Sequence, residues 1–236
     1  MIDIHNHLLF GVDDGPKSAE ESIMMLRDAK QQGIDAIILT PHYRHGYFTY
    51  PVKEIMRNFD CLKVHAEAIG IDIYLGTEYH VNSRMVDYLE MGRCKSLANS
   101  RYVLAEYEYE TEFSYVKSSI HELLLHGYVP VVAHVERYEC MLDDLHNAEI
   151  LREMGALIQV NAGAILGDEG RAQKKYCKKM LQNGLVDIVA SDSHGIKYRT
   201  NQMGKCKQYL TKKYDPTYVL MITEENPRKI IKNIEE

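Results

Sequence analysis

Apolar runs recur along the chain at intervals that fit strands alternating with amphipathic helices, and six of the seven runs close on a His, Asp or Glu. MIDIHNH (1–7) brings His5 and His7, IDAIILTPH (34–42) brings His42, and IYLGTEY (73–79) brings Glu78. YVLAEY (102–107) brings Glu106, VPVVAH (129–134) brings His134, and DIVASDSH (187–194) brings Asp192 and His194. Only LIQVNAG (157–163) lacks an ionisable group and ends on Asn161. Runs this short, rich in Val and Ile and bounded by turn residues, predict strands.

Helical patterns fill the intervals. Ser18 and Glu21 form a capping box opening a helix that stops at Gly33. Pro51 suits the first turn of a helix running to about Gly70. Asn82 is expected to cap a short helix ending near Gly92, and Ser114 another ending at Gly127. Further helical stretches cover roughly 142–154, 169–183 and 202–213. A final one is expected to start at the cap pair Asn226-Pro227. Repeated strand-then-helix units imply parallel strands joined by right-handed crossovers. Seven units predict an α/β fold, a seven-stranded (β/α)7 barrel; an open doubly wound sheet is the alternative. With short loops and no linker, 1–236 reads as a single domain.

Composition narrows the function classes. A chain of 236 residues with 45% hydrophobic content suffices for one core. A net charge of −6 argues against general nucleic-acid binding, which needs clustered Lys and Arg. No apolar run is long enough to predict a membrane span, and the chain starts on a strand rather than a basic and apolar leader. Five cysteines without a CxxC pair point to a reducing cytoplasm.

Strand ends in a parallel barrel share one rim, where such folds place their active sites. Residues two apart in a strand face the same side, so His5 with His7 and Asp192 with His194 can grip one ion together. Asp13-Asp14-Gly15-Pro16 reads as a turn, but its place on the rim makes Asp14 a further candidate. A lone H-x-H is weak evidence; six strands ending this way are strong. The candidate metal ligands are His5, His7, Asp14, His42, Glu78, Glu106, His134, Asp192 and His194. Nine donors exceed the needs of one octahedral ion and fit two or three. Imidazole and carboxylate without thiolate favour Mn²⁺, Fe²⁺ or Zn²⁺ over Ca²⁺. Three divalent ions set against the carboxylates of Asp14, Glu78, Glu106 and Asp192 leave a surplus of about two positive charges, matching a phosphate monoester dianion.

HNH (5–7), DDGP (13–16), TPH (40–42), GTEY (76–79), AHVERY (133–138), SDSH (191–194) and ENPRKII near the end together resemble the PHP (polymerase and histidinol phosphatase) superfamily. More narrowly the chain resembles the manganese-dependent bacterial protein-tyrosine phosphatases of capsule and exopolysaccharide operons, the CpsB/YwqE type. The resemblance implies a distorted barrel with a trinuclear site. His5, His7, Glu78 and Asp192 would hold one ion. Glu78 would bridge to a second, completed by Glu106 and His134. Asp14, His42 and His194 would hold a third. Arg137 would bind the substrate phosphate, and Arg199 matches a second arginine; Gly195 and Thr200 depart from the pattern around it. The implied substrate is the phosphotyrosine-bearing tail of a bacterial tyrosine autokinase controlling polysaccharide export.

The expected chemistry is hydrolysis by a metal-bridging hydroxide while the cations and Arg137 stabilise the phosphoryl oxygens. A cysteine phosphate loop would need Arg six positions after a Cys, and those positions hold Glu67, Ser100, His146, Asn183 and Lys212. The alternatives are a histidinol-phosphatase-like enzyme acting on a small molecule, an amidohydrolase and a non-catalytic phosphotyrosine binder. Amidohydrolases commonly place Lys where this chain has Glu106, and a binder needs no hydroxide generator. Among remaining features, His65, His121, His126 and His146 read as solvated helix residues, while His45 and His80 lie just past strand ends. The loop Tyr43–Phe48 could stack on a phosphotyrosine ring, with Arg44 steering the anion. The acidic stretch 106–112 alternates like a half-buried strand, and Met24 and Met25 read as core.

Overall fold

In this computed structural model, which describes residues 1–48 and 50–232, every strand pairing is parallel. The strands are β1 (Ile2–Asp3), β2 (Ala36–Leu39), β3 (His42–Tyr43), β4 (Asp72–Leu75), β5 (Glu78–His80), β6 (Tyr102–Glu106), β7 (Val129–Val132), β8 (Leu157–Asn161) and β9 (Ile188–Ala190). They form a three-stranded sheet ordered β1-β2-β4 and a six-stranded sheet ordered β3-β5-β6-β7-β8-β9. The seven expected runs thus become nine strands among the described residues. The second run breaks at Thr40-Pro41 and the third at Gly76-Thr77, because proline cannot donate to a ladder and glycine allows a bend. Gly76 also sits where a side chain would strike Leu97 and Ile38.

Period-two alternation sorts the strand residues into two layers. Ile2, Ile4, Ala36, Ile38, Leu104, Val131, Ala133, Ile188 and Ala190 form one cluster inside the curl of the strands. Ile37, Leu39, Val103, Ala105, Val132, Ile158, Val160 and Val189 face the other way, into the larger core shared with the helices. The last strand returns to the first: Asp192 N donates to the His5 carbonyl (2.9 Å), His7 N to the Ser193 carbonyl (3.0 Å), and Asn6 pairs with Ser193 in a parallel bridge. Beneath that junction Asp3 is fully buried, accepting from Ser191 N and Oγ and from Asn6 Nδ2. The result is an α/β fold whose curled parallel sheet gathers the strand C-termini.

Helix Ala19–Gln31 starts as expected, with Ser18 accepting from Glu21 N. Helix Val52–Ile69 follows Pro51 and ends on left-handed Gly70. Other boundaries differ. Asn82 Oδ1 accepts from Arg84 N, and the short helix begins at Met85. The next helix spans Phe113–Leu125, so Ser114 lies inside its first turn instead of capping it. The region 142–154 splits into Glu139–Asp143 and His146–Met154. The last helix starts earlier than Asn226-Pro227, at Asp215-Pro216, where Asp215 accepts from Thr217 N and Tyr218 N. It continues through a π-helical turn, Met221–Glu225, into Asn226–Lys232, and Asn226 instead donates to the Asp187 carbonyl. The acidic stretch past Glu106 is a turn, not a strand, and Met24 is exposed. His65, His121, His126 and His146 are all exposed, as expected. Among the described residues no helix is long and apolar enough to cross a membrane.

Candidate metal centre

All nine candidate ligands meet on one rim. His5 Nε2 lies 3.1 Å from Glu78 Oε1 and 3.5 Å from Asp192 Oδ1; His7 Nε2 lies 3.1 Å from Glu78 Oε2 and 3.5 Å from Asp192 Oδ1. His134 Nε2 is 2.8 Å from Glu78 Oε1 and 3.7 Å from Glu106 Oε1. His42 Nδ1 is 2.9 Å from Glu78 Oε2, and its Nε2 is 3.5 Å from Asp14 Oδ1, which also faces His194 Nε2 at 3.3 Å. Three groups have one donor atom per residue within 4.8 Å of one another: His5, His7, Glu78 and Asp192; His7, Asp14, His42 and His194; and His42, Glu78 and Glu106.

Three of the five rings are held from behind. His5 Nδ1 donates to Gln159 Oε1 (3.0 Å), His7 Nδ1 to Asp13 Oδ2 (2.9 Å), and His194 Nδ1 to the Asp192 carbonyl (2.9 Å). In the neutral imidazole a donating Nδ1 leaves Nε2 as the lone-pair nitrogen, the tautomer a metal ligand needs. Tyr138 OH contacts His134 Nδ1 at 3.2 Å. Gln159 Oε1 also accepts from His134 N, while its Nε2 donates to Asn161 Oδ1; Asn161 in turn donates to Asp192 Oδ2 and Glu169 Oε1. The run without an ionisable group therefore supplies the amides that position its neighbours' ligands. Asp13, read from sequence as a turn residue, additionally accepts from His42 N (3.1 Å) and Gly15 N (2.9 Å). Spacing offered a signal for Gln159 and Asn161, which share one strand face; none pointed to a bracing role for Asp13.

The electrostatics describe a site built for cations. Burial opposes charge on His5, yet Glu78 and Asp192 outweigh it and raise the imidazole to about 9. His42, likewise opposed by burial, is raised to about 10 by Glu78, with Glu106 and Asp13 adding. Burial and the facing Glu78 push Glu106 up to about 7. Despite the same burial penalty, Glu78 and Asp192 stay well below the usual carboxylate range, Glu78 because of His5 and His42, Asp192 because of His5, Arg137 and Arg199. The donors fit divalent ions on two further counts. The Nε2 atoms of His5 and His7 face each other at 3.3 Å, a spacing that one cation shared by both rings would fit. His42 Nδ1, Glu78 Oε2, Glu106 Oε2 and His194 Nε2 are buried without hydrogen-bond geometry to any partner, although His42 Nδ1 and Glu78 Oε2 lie 2.9 Å apart, and such groups are costly unless something binds them. His134 (φ 29°) and Asp192 (φ 51°) adopt left-handed backbone, strain of a kind that collects at functional sites.

Both candidate arginines border this cluster. Arg137 Nη2 is 2.8 Å from Asp192 Oδ2 and its Nε donates to Glu169 Oε2 at 2.8 Å. Arg199, also left-handed (φ 47°), reaches both Asp192 oxygens at 2.9 Å and Asp14 Oδ2 at 3.6 Å. A cleft of about 390 Å³ opens beside Arg137, lined also by Arg44, Glu106, Tyr109, His134 and Glu169. In the rim loop, Phe48 stacks on His42 (5.1 Å, 11°), Arg44 lies over Tyr47 and pairs with Glu108, and His80 Nε2 is 3.2 Å from the same Glu108 oxygen. His45 is exposed on that loop. The five cysteines are free, and none lies among these groups.

Residues 1–232 match the family described as capsular polysaccharide synthesis, CpsB/CapC. The tyrosine-protein phosphatase CpsB of Streptococcus pneumoniae is 33% identical over 238 residues, covering 98% of each chain. The tyrosine-protein phosphatase YwqE of Bacillus subtilis is 30% identical over 235 residues, covering 99% of this chain and 92% of its own. A crystal structure from a study of YwqE and CpsB, described as unique metal-dependent tyrosine phosphatases, superposes with a TM-score of 0.88 at 29% identity, covering 99% of this chain and 95% of that one. The phosphotriesterase homology protein of Escherichia coli, at 15% identity and TM-score 0.61, covers 98% of each chain and shares the fold alone.

Proposed function

The chain belongs to the CpsB/CapC family of capsular polysaccharide synthesis, and from that membership and its polyvalent rim we infer that it is a metal-dependent tyrosine-protein phosphatase. The observation that carries this reading is the convergence of nine imidazole and carboxylate groups, several with orphaned atoms, beside two arginines.

We assign His5, His7, Glu78 and Asp192 to one ion, Glu78, Glu106 and His134 to a second, and Asp14, His42 and His194 to a third. The donor spacing supports the first set and the third, to which His7 adds; near the second it groups Glu78 and Glu106 with His42, while His134 lies 2.8 Å from Glu78 and 3.7 Å from Glu106. Nitrogen and oxygen donors without thiolate favour Mn²⁺, with Fe²⁺ or Zn²⁺ the competitors. Bound divalent ions would supply Lewis acidity and a nucleophilic water acidified to near neutral pH. Arg137 and Arg199 hold the phosphoryl group, since guanidinium donors not spent on Asp192 and Glu169 remain to take its oxygens. Tyr109 and the rim loop offer aromatic faces to the substrate ring. The departing tyrosine phenolate, with a parent pKa of about 10, needs less protonation help than a serine alkoxide.

The fold is read as a distorted seven-stranded barrel of the PHP type in one domain, 1–236, with β2/β3 and β4/β5 each one interrupted strand. The substrate is read as the phosphotyrosine tail of a bacterial tyrosine kinase in the cytoplasm, consistent with the relatives' capsule names. The test is hydrolysis of para-nitrophenyl phosphate, a phosphotyrosine peptide and histidinol phosphate, each with and without chelator and added Mn²⁺. Metal-dependent turnover with the peptide preferred is expected; faster turnover of histidinol phosphate rejects the protein substrate.

A further inference from the structure

Charge is distributed unevenly along this acidic chain. Residues 171–213 carry eleven Lys or Arg and two Asp, although the whole chain has a net charge of −6. Both aspartates are buried, Asp187 against Arg152 and Asp192 in the site, so the outward face of this region is cationic. Lys197, Lys205 and Lys212 are exposed, and among the described residues none of them forms an ion pair.

The loop Ile196–Gln202 divides two clefts within this region. One, of about 490 Å³, opens onto the site between Arg137, Asp192, Lys197 and Arg199. The other, of about 850 Å³, is lined by Lys205, Lys207 and Lys212 with the amides of Gln31 and Gln208. Thr200 borders both, so the second cleft is the immediate neighbour of the first. Its one acidic lining residue, Asp28, is engaged by Gln32 Nε2 at 2.8 Å. Lys207 pairs with Glu224 from outside the lining.

We propose that this second cleft is an anion subsite of the phosphatase, taking a phosphate or carboxylate group from the same peptide whose phosphotyrosine occupies the metal-ligand rim. The inference rests on the phosphotyrosine reading of that rim. Ammonium groups and side-chain amides around a concavity are the donors such an anion needs. A bilayer is flat on this scale and would meet only the cleft's mouth, whereas one side chain of an extended peptide can enter it. The consequence is selectivity: peptides with a second anionic residue a few positions from the scissile phosphotyrosine are preferred over singly charged ones.

The experiment compares a doubly phosphorylated with a singly phosphorylated tyrosine peptide on the Mn²⁺-loaded enzyme and on the Lys205→Glu/Lys212→Glu variant. The milder Lys205→Gln/Lys212→Gln pair serves as a second variant, and para-nitrophenyl phosphate reports the intact site. Loss of two charge contacts of about 0.7 kcal/mol each predicts a roughly tenfold higher KM for the doubly phosphorylated peptide, with kcat unchanged. KM for the single peptide and for para-nitrophenyl phosphate should stay put, and added salt should erase the difference. Equal KM values for the two peptides on the parent enzyme, or an unaltered KM in both variants, overturn the subsite. Lost binding to phosphatidylglycerol vesicles with peptide kinetics unchanged assigns the face to a membrane and overturns it too. Hydrolysis of para-nitrophenyl phosphate with neither peptide cleaved defeats the phosphotyrosine reading itself and this inference with it.

Discussion

Single side chains divide here into those that would carry ions, those that aim them and those that meet the substrate. His134 faces two carboxylates from a strained backbone position, so His134→Ala should abolish turnover and lower the metal content measured by elemental analysis. Arg137→Ala should leave the metal content intact and raise KM, because Arg137 pairs with Asp192 and Glu169 without being a ligand itself and lines the cleft beside the cluster. Asp13 belongs to the aiming class. Replacing a carboxylate behind a ligating histidine typically costs about 10–100-fold in metal affinity, and Asp13→Ala should show that loss by titration while the fold persists. Eight of the nine candidate ligands could be read from sequence because they close apolar runs; Asp14 follows from its place in the loop after the first run. The sequence singles out Asp14 as the candidate and reads Asp13 as a turn residue; that Asp13 turns toward His7 and Asp14 toward His194 depends on the folded loop.

At the level of elements, the loop after β1 carries more than a turn. Gly15 lies so close to the His7 carbonyl that an added Cβ would sit 2.1 Å from that oxygen. Gly15→Ala must therefore displace the loop bearing Asp13 and Asp14, and overpacking of this kind costs about 1–3 kcal/mol. The expected outcome is a lower Tm in thermal denaturation together with weaker metal binding; an unchanged protein would mean that the loop adjusts freely. Helix starts were legible where a local signal acts alone, as at Ser18 and Pro51. They were misread at Ser114 and Asn226, where a plausible cap lies inside a longer helix. At Asn226 the side chain serves a carbonyl across the fold instead of its own backbone, which no local pattern reports. β8, read from sequence as the run without an ionisable group, braces His5, His134 and Asp192 through Gln159 and Asn161.

Across the whole molecule, ion binding should couple to both stability and protonation. Ions bound only by the folded state stabilise it by about 2.7 kcal/mol at a hundredfold excess over Kd. For a domain of this size that corresponds to a Tm rise of roughly 5–10 °C, to be reversed by chelator. His5 at about 9 and His42 at about 10 are protonated at neutral pH in the metal-free protein, yet ligation requires the free nitrogen lone pair. Metal binding at pH 7 should therefore release protons, measurable by calorimetry in buffers of different ionisation enthalpy. Apparent affinity should climb with pH toward 9, by about tenfold per unit for each proton displaced. Affinity independent of pH over that window would show that these imidazoles do not ligate.

The sequence by itself determined the α/β class and gathered the nine candidate donors on one rim, because strand ends and side-chain parity are local and periodic properties. Tertiary structure alone decided that the strands divide into two sheets and that the last strand rejoins the first through Asp3, Asn6 and Ser191. It also decided which amide or carboxylate braces each imidazole, and which cations share a cleft across the loop at Thr200. Those outcomes depend on contacts between residues far apart in the chain, where burial and hydrogen-bond satisfaction are settled only once the backbone has closed around them.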